Sequence, residues 1–216
     1  MARIVDLSQP IGPGISLFPT LPPIKITPLP RKGAANMVCE ITFADHASTH
    51  IDALIHFKPE GETVEKLPLQ YCYGDAIVLD FSHKGNGETI TAAEVQRAAV
   101  DLGLTIRPLD IVLFRTGADC LWGTGQYADY AVSVGVDAVR WLAAQGVKVL
   151  GVDAISIDAD PTRPAHQLVK EFEYYHIENM ANLDKLPRGR FKFAAFPLRL
   201  VGASASPIRA VAILEG

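Results

Sequence analysis

Three of the chain's six histidines fall within eleven residues, in the run His46-Ala-Ser-Thr-His50-Ile-Asp52-Ala-Leu-Ile-His56. Imidazole nitrogens and a carboxylate this close together are donors that Zn²⁺ or Mn²⁺ accepts. His50 and Asp52 are two residues apart, so on a strand both side chains leave one face and reach a single ion. His46, four residues upstream, keeps that parity or packs beside the strand on a turn. His56 shares the parity but lies further on. A bend after Asp52 would bring it to the rim, where an acid or base is of more use than a ligand. The spacing does not fit the helical HExxH pattern of metalloproteases. Most histidines are ordinary core or surface residues, and His83, ahead of Lys-Gly-Asn-Gly, reads as a plain turn residue.

The run from His46 to Phe57 resembles the H-x-G-T-H-x-D-x-P-x-H-F motif of the metal-dependent cyclase family, which includes bacterial kynurenine formamidases and isatin hydrolases. Further segments are similar to that family: Gly151-Val-Asp153-Ala-Ile-Ser-Ile-Asp158, Glu178-Asn-Met-Ala-Asn-Leu-Asp-Lys-Leu-Pro187, and Pro197-Leu-Arg199 through Ser206-Pro-Ile-Arg209. The resemblance runs from about Val5 to Leu214. It implies a first metal site on His46, His50 and Asp52. It implies a second on His166 and Glu178, twelve residues apart, with Asp52 bridging and His56 as the acid/base. One or two divalent ions, Zn²⁺ or Mn²⁺, are therefore expected. The implied reaction is hydrolysis of a C–N bond in a small amide, formamide or cyclic imide or lactam. A metal-dependent cyclase or dehydratase is the rival enzyme reading, and a small-molecule-binding protein the rival outside catalysis. The resemblance also implies a homodimer or homotetramer and a three-layer β/β/α swivelling-type fold.

The chain departs from the family pattern at several positions. Ser48 stands where glycine is usual and Leu54 where proline is usual. Kynurenine formamidases carry Trp-Pro-Gly-Asp near the start, with the indole beside the substrate. Here Phe18-Pro19-Thr20-Leu21 takes its place, which makes Phe18 the expected substrate contact. His176, two residues before Glu178, replaces an apolar residue and faces the same way on a strand. It is expected to touch substrate or support the ligands, unless it is simply packed.

Other polar residues have plainer expectations. Asp45 is adjacent to His46 and on a strand points away, toward solvent. Asp153 and Asp158 read as turn or capping residues at a strand end, where ligands of α/β sheets often bind. Thr116 to Asp119 follow another strand. Trp122, Tyr127 and Tyr130 are candidates for a lid or for a packed cluster. No G-x-S-x-G elbow and no local Cys–His signature supports an acyl-enzyme route.

The elements that must position these residues are legible as short apolar runs. Residues 75–81, 110–115, 147–152 and 191–196 suit strands buried on both faces. Helices are expected from Thr89 or Thr91 through Leu102, and from Asp137 to Ala144 with Gly146 as the stop. Their alternation predicts an α/β core with a partly parallel mixed sheet. The proline-rich first third is expected to be extended. Its apolar residues Ile15, Leu17, Phe18, Ile24 and Ile26 are expected to pack on the body.

The 216 residues are 49% hydrophobic and 20% charged, which suits one globular domain over 1–216. A net charge of −4 without a basic block argues against nucleic acid. No apolar run is long enough to span a membrane. The opening residues lack a signal-peptide pattern, and Cys39, Cys72 and Cys120 read as scattered reduced thiols. A cytoplasmic enzyme acting on a small molecule is the expectation.

Overall fold

The structure, a computed structural model, describes residues 2–15, 18–30 and 36–215. Thirteen strands are present among them. They are β1 (Arg3–Asp6), β2 (Lys25–Pro28), β3 (Cys39–Thr42), β4 (His50–Asp52), β5 (Tyr73–Asp80), β6 (Thr89–Ile90) and β7 (Ile111–Arg115). The remainder are β8 (Ser133–Val134), β9 (Val149–Val152), β10 (Tyr175–Glu178), β11 (Phe191–Ala194), β12 (Ala205–Pro207) and β13 (Val211–Leu214). The helices are α1 (Ala92–Asp101), α2 (Val136–Ala144), α3 (Pro164–Gln167) and α4 (Val169–Phe172).

Nine strands form one mixed sheet in the order β1-β13-β11-β5-β7-β9-β10-β4-β12. Its centre, β5-β7-β9-β10, is parallel, and the flanking pairs are antiparallel. Central parallel strands are covered on both faces, which is why β7 and β9 are continuous apolar runs. Ile111 to Phe114 and Val149 to Val152 are all buried. Gly151 has a packing reason: a Cβ there would meet Leu113 Cδ2 and Met180 Sδ at 2.6 Å. The α/β expectation with a partly parallel mixed sheet holds.

Helix α1 follows β5 and α2 follows β7, each returning the chain to the next parallel strand. Thr91 caps α1 in a reciprocal capping box with Glu94. Asp137 lies in the first turn of α2, as expected, and also accepts from the Ala92 N–H at 2.8 Å, tying the two helix starts together. Gly146, at φ 82°, ends α2 in the left-handed region, as its sequence position suggests.

The proline-rich segment is extended, but it packs less than expected. Among Ile15, Phe18, Ile24 and Ile26, only Ile24 is buried, and Leu17 lies outside the described residues. β2 and β3 pair with each other in a separate two-stranded sheet that bears exposed Ile26 and Ile41. Among the described residues no helix is long and apolar enough to cross a membrane.

Candidate metal centre

Two neighbouring strands build the floor of the site. β4 runs antiparallel to β10, with Ile51 opposite Ile177 and His50 opposite Glu178. Period-two alternation then puts His50 and Asp52 on the same face as His176 and Glu178. Continued by one residue, the register sets His176 opposite Asp52, and His176 Nδ1 lies 3.9 Å from Asp52 Oδ2. Two further histidines arrive from outside the sheet. His46 sits on the turn before β4, and His166 on α3.

The carboxylate oxygens divide among the imidazoles. Asp52 Oδ1 stands 2.9 Å from His46 Nδ1 and 3.2 Å from His50 Nε2. Glu178 Oε2 is 3.7 Å from His50 Nε2. On the other side, Asp52 Oδ2 is 3.9 Å from both His166 Nε2 and His176 Nδ1, and Glu178 Oε1 is 3.4 Å from His166 Nε2. Two donor groups result, with Asp52 common to both: His50, Asp52 and Glu178, and Asp52, His166 and His176. His46 and His56 form a third group with Asp52.

Partners on the outer side fix which nitrogen faces inward. His50 Nδ1 donates to the Ser48 carbonyl at 2.8 Å, which leaves its Nε2 lone pair for the cluster. His166 Nδ1 donates to Asp158 at 2.6 Å, with the same result. His46 Nε2 lies 3.0 Å from Ser204 Oγ, and that hydroxyl donates onward to Asp45 at 2.8 Å. Carboxylates and carbonyls behind ligating imidazoles set tautomer and orientation in metal sites. Asp45 therefore does not point to solvent as expected. It accepts from Ser204 N and Ala205 N and holds the His46 support in place. Asp158 does cap α3, through Ala165 N and His166 N, and also orients the His166 ring.

These donors fit a divalent cation. His50 Nε2 and both Asp52 oxygens are buried and have no hydrogen-bond partner, although nitrogens surround them. Such unpaired buried groups are costly unless an ion joins them. Burial opposes charge on His50 and His166, yet the surrounding carboxylates push both up to about 9. Burial also works against ionising Glu178, but His166 brings it down to about 2. A cation entering here displaces protons, as ligand imidazoles must be neutral.

His56 differs from its neighbours. It closes a single 3-10 turn over Leu54–His56 and is 32% exposed at its side chain. Its Nε2 lies 3.8 Å from Asp52 Oδ2, and its ring rests against His46 and Phe57. Burial, with the nearby His46 and His166, outweighs the carboxylates and brings its pKa down to about 4. It is therefore neutral and able to accept a proton at ordinary pH.

A cavity of about 270 Å³ opens onto the cluster, lined by Phe18, Thr20, Leu21, Phe57, Ile155, Arg163 and the site residues. Phe18 is at its wall, as the sequence suggests. His176 is not: it is only 2% exposed and lies beneath the cluster, between His166 and Tyr174. The expected substrate contact is thus replaced by the position of a donor. Tyr127, Trp122 and Tyr130 form no lid. Tyr127 is fully buried, with its hydroxyl on Asn179, and Trp122 packs against its ring. Asp153 accepts from Thr116 and Gly117 and shapes that turn. A larger groove of about 670 Å³ lies between α1 and residues 183–188, and Arg115–Asp80 and Arg97–Asp101 pairs occupy its walls.

The putative cyclase family matches residues 5–159. The chain is 30% identical over 216 residues to a kynurenine formamidase of Erythrobacter litoralis, covering 97% of this chain and 93% of the relative. Its fold matches isatin hydrolase A from Ralstonia solanacearum with a TM-score of 0.90 at 26% identity, covering 99% and 92% of the two chains. A structure described as a potential metal-dependent hydrolase with cyclase activity matches at a TM-score of 0.82 and 27% identity, with all of both chains covered.

Proposed function

The chain belongs to the putative cyclase family, and from that membership we propose the reaction, the ions and the residue roles that follow. It is a metal-dependent hydrolase that cuts a non-peptide C–N bond, in a small amide, formamide or cyclic imide or lactam. The observation that carries this reading is the convergence of unpaired buried donors on one point beside a small cavity.

His46, His50, Asp52 and Glu178 would hold one ion, and Asp52, His166, His176 and Glu178 a second. Zn²⁺ or Mn²⁺ suits this nitrogen and oxygen set. Such ions lower the pKa of water toward ~7 and polarise a carbonyl oxygen. His56 Nε2 faces the cluster from the cavity side. It takes the proton from the attacking water and returns it to the leaving nitrogen. Its neutral state leaves the nitrogen free to accept. Phe18 and Phe57 give the substrate's body an apolar wall. A homodimer or homotetramer is also proposed, supported by the exposed Ile26, Leu29, Met37, Val38 and Ile41 on and around the β2–β3 pair.

The test is metal content per chain on protein purified without chelator, followed by a screen of formamides, amides and cyclic imides. About two ions are expected, falling to one in H176L, with turnover of at least one substrate class. Absence of metal after reconstitution with zinc and manganese would overturn the reading. Turnover only of hydroxy or keto acids would transfer it to the cyclase or dehydratase alternative.

A further inference from the structure

Arg163 holds no ion and moves no proton in the reading above, yet it lines the same cavity. It stands at φ 55°, in the left-handed region, immediately before the proline that opens α3. That conformation is unfavourable for a non-glycine residue, so the surroundings must hold it. They do so through one end of the guanidinium: Nη1 donates to Ser156 Oγ at 2.6 Å and to the Asp158 carbonyl at 2.9 Å. The head group lies 5.1 Å over the Phe18 ring.

What Arg163 lacks is an anion. Arg115 and Arg190 are the other half-buried arginines among the described residues, and each closes on an aspartate, Asp80 and Asp110. No carboxylate among the described residues pairs with Arg163, and its Nε and Nη2 hydrogens have no partner there. The Asp158 carboxylate is turned away, onto His166 and the start of α3. A guanidinium anchored through one nitrogen keeps a two-donor edge free. That edge matches a carboxylate, and its charge is fixed.

We propose that Arg163 is the specificity-determining residue of the site and that the substrate is a flat amide, formamide or imide bearing a carboxylate. The proposal rests on the hydrolase reading for the bond that is cut, but the anion site stands on its own geometry. Phe18 under the guanidinium and Phe57 beside His56 hold the planar body. Arg163 takes the carboxylate, and the scissile group then lies toward His56. The carboxylates of Asp52 and Glu178 face the imidazole cluster, so Arg163 supplies the cavity's unopposed charge for a substrate anion.

The experiment compares 2-, 3- and 4-formamidobenzoate with formanilide, which lacks only the carboxylate, using metal-loaded protein. The wild type is expected to favour one benzoate isomer by about 10- to 100-fold in kcat/KM, chiefly through KM. R163L is expected to bring that ratio close to one, and R163K to recover part of it. Independently of turnover, calorimetry measures binding of the matching aminobenzoate. R163L is expected to bind it at least about tenfold more weakly at unchanged metal content. Equal binding by wild type and R163L overturns the anion site even if formamides are hydrolysed. If no formamide is hydrolysed but the aminobenzoate difference remains, the anion site survives and the hydrolase reading fails for these substrates. Should R163L lose metal or melt early, R163Q takes its place in both measurements.

Discussion

Among the described residues the His56 ring has no carbonyl, hydroxyl or carboxylate locking it and, unlike buried His176, it opens to the cavity, whereas His46, His50 and His166 each have such a partner. A ligand gains from being held, and a proton carrier gains from access to the cavity. H56A should therefore keep its metal while kcat falls about 10²- to 10⁴-fold. An unchanged kcat would remove His56 from the mechanism. The His46 support gives the complementary case. D45N keeps the shape of the Ser204 anchor but removes its charge. Metal affinity should fall about 10- to 100-fold in chelator competition, because the imidazole loses its fixed orientation. Unaltered affinity would make Asp45 a loop residue only. The motif from His46 to His56 was legible in sequence because its residues are local. The role of Asp45 was not, as it depends on Ser204, and Asp158 and His176 were legible only in part: the cap and the shared face were read, but not the hold on His166 or the place beside Asp52. Ser48 explains its own departure from glycine. At φ 59° it occupies a position that favours glycine, and its hydroxyl donates to the Gln9 and Pro10 carbonyls in compensation.

At the scale of elements, α1 shows how local signals carry stability. Glu94 closes the capping box on Thr91 and also meets Lys84 at 2.7 Å. The Lys84 ammonium and the Thr91 N–H hold Glu94 down at about 2, against an ordinary 4.5. A depressed carboxylate stabilises the fold fully above its unfolded pKa and loses that contribution as pH falls toward the folded one. In urea unfolding, wild type should exceed E94Q near pH 7, and the gap should close between about pH 4.5 and 2. The effect is modest, because the Glu94 side chain is open to solvent. A pH-independent gap would point to packing rather than charge. The helix cap, narrowed in sequence to Thr89 or Thr91, and the apolar strands β5, β7, β9 and β11 were legible because propensity and apolar content agree along a single segment. β4, β10 and β12 are three or four residues long, and their pairing joins positions more than a hundred residues apart. No local pattern encodes that register, whereas the β2–β3 pair is local, with Lys25 opposite Thr42, and was hidden because its two strands are largely exposed and lack an apolar run.

At the scale of the whole molecule, the metal centre is the point where distant parts of the chain are joined. It draws on the turn before β4, on β4 and β10, and on α3, while Ser204 beside β12 supports His46. β4 and β12 lie at one end of the nine-stranded sheet, and β5 and β7 at its centre. The central strands are held by burial and by their own ladders, whereas the β10-β4-β12 end also carries several unpaired buried donors. An ion bound only by the folded state adds stability by mass action, about 3–4 kcal/mol at 100 to 1,000 times its Kd. That stability should be unevenly distributed, since local opening follows the contacts that fail first. Chelation should lower the melting temperature and speed amide exchange in residues 46–56, 156–168, 175–180 and 204–208. Exchange in β5, β7 and α1 should change little until global unfolding. Exchange that quickens uniformly would mean the ion serves the whole fold as a single unit. Exchange that does not change would mean that hydrogen bonds such as His50 to Ser48 and His166 to Asp158 already fix the β10-β4-β12 end without it.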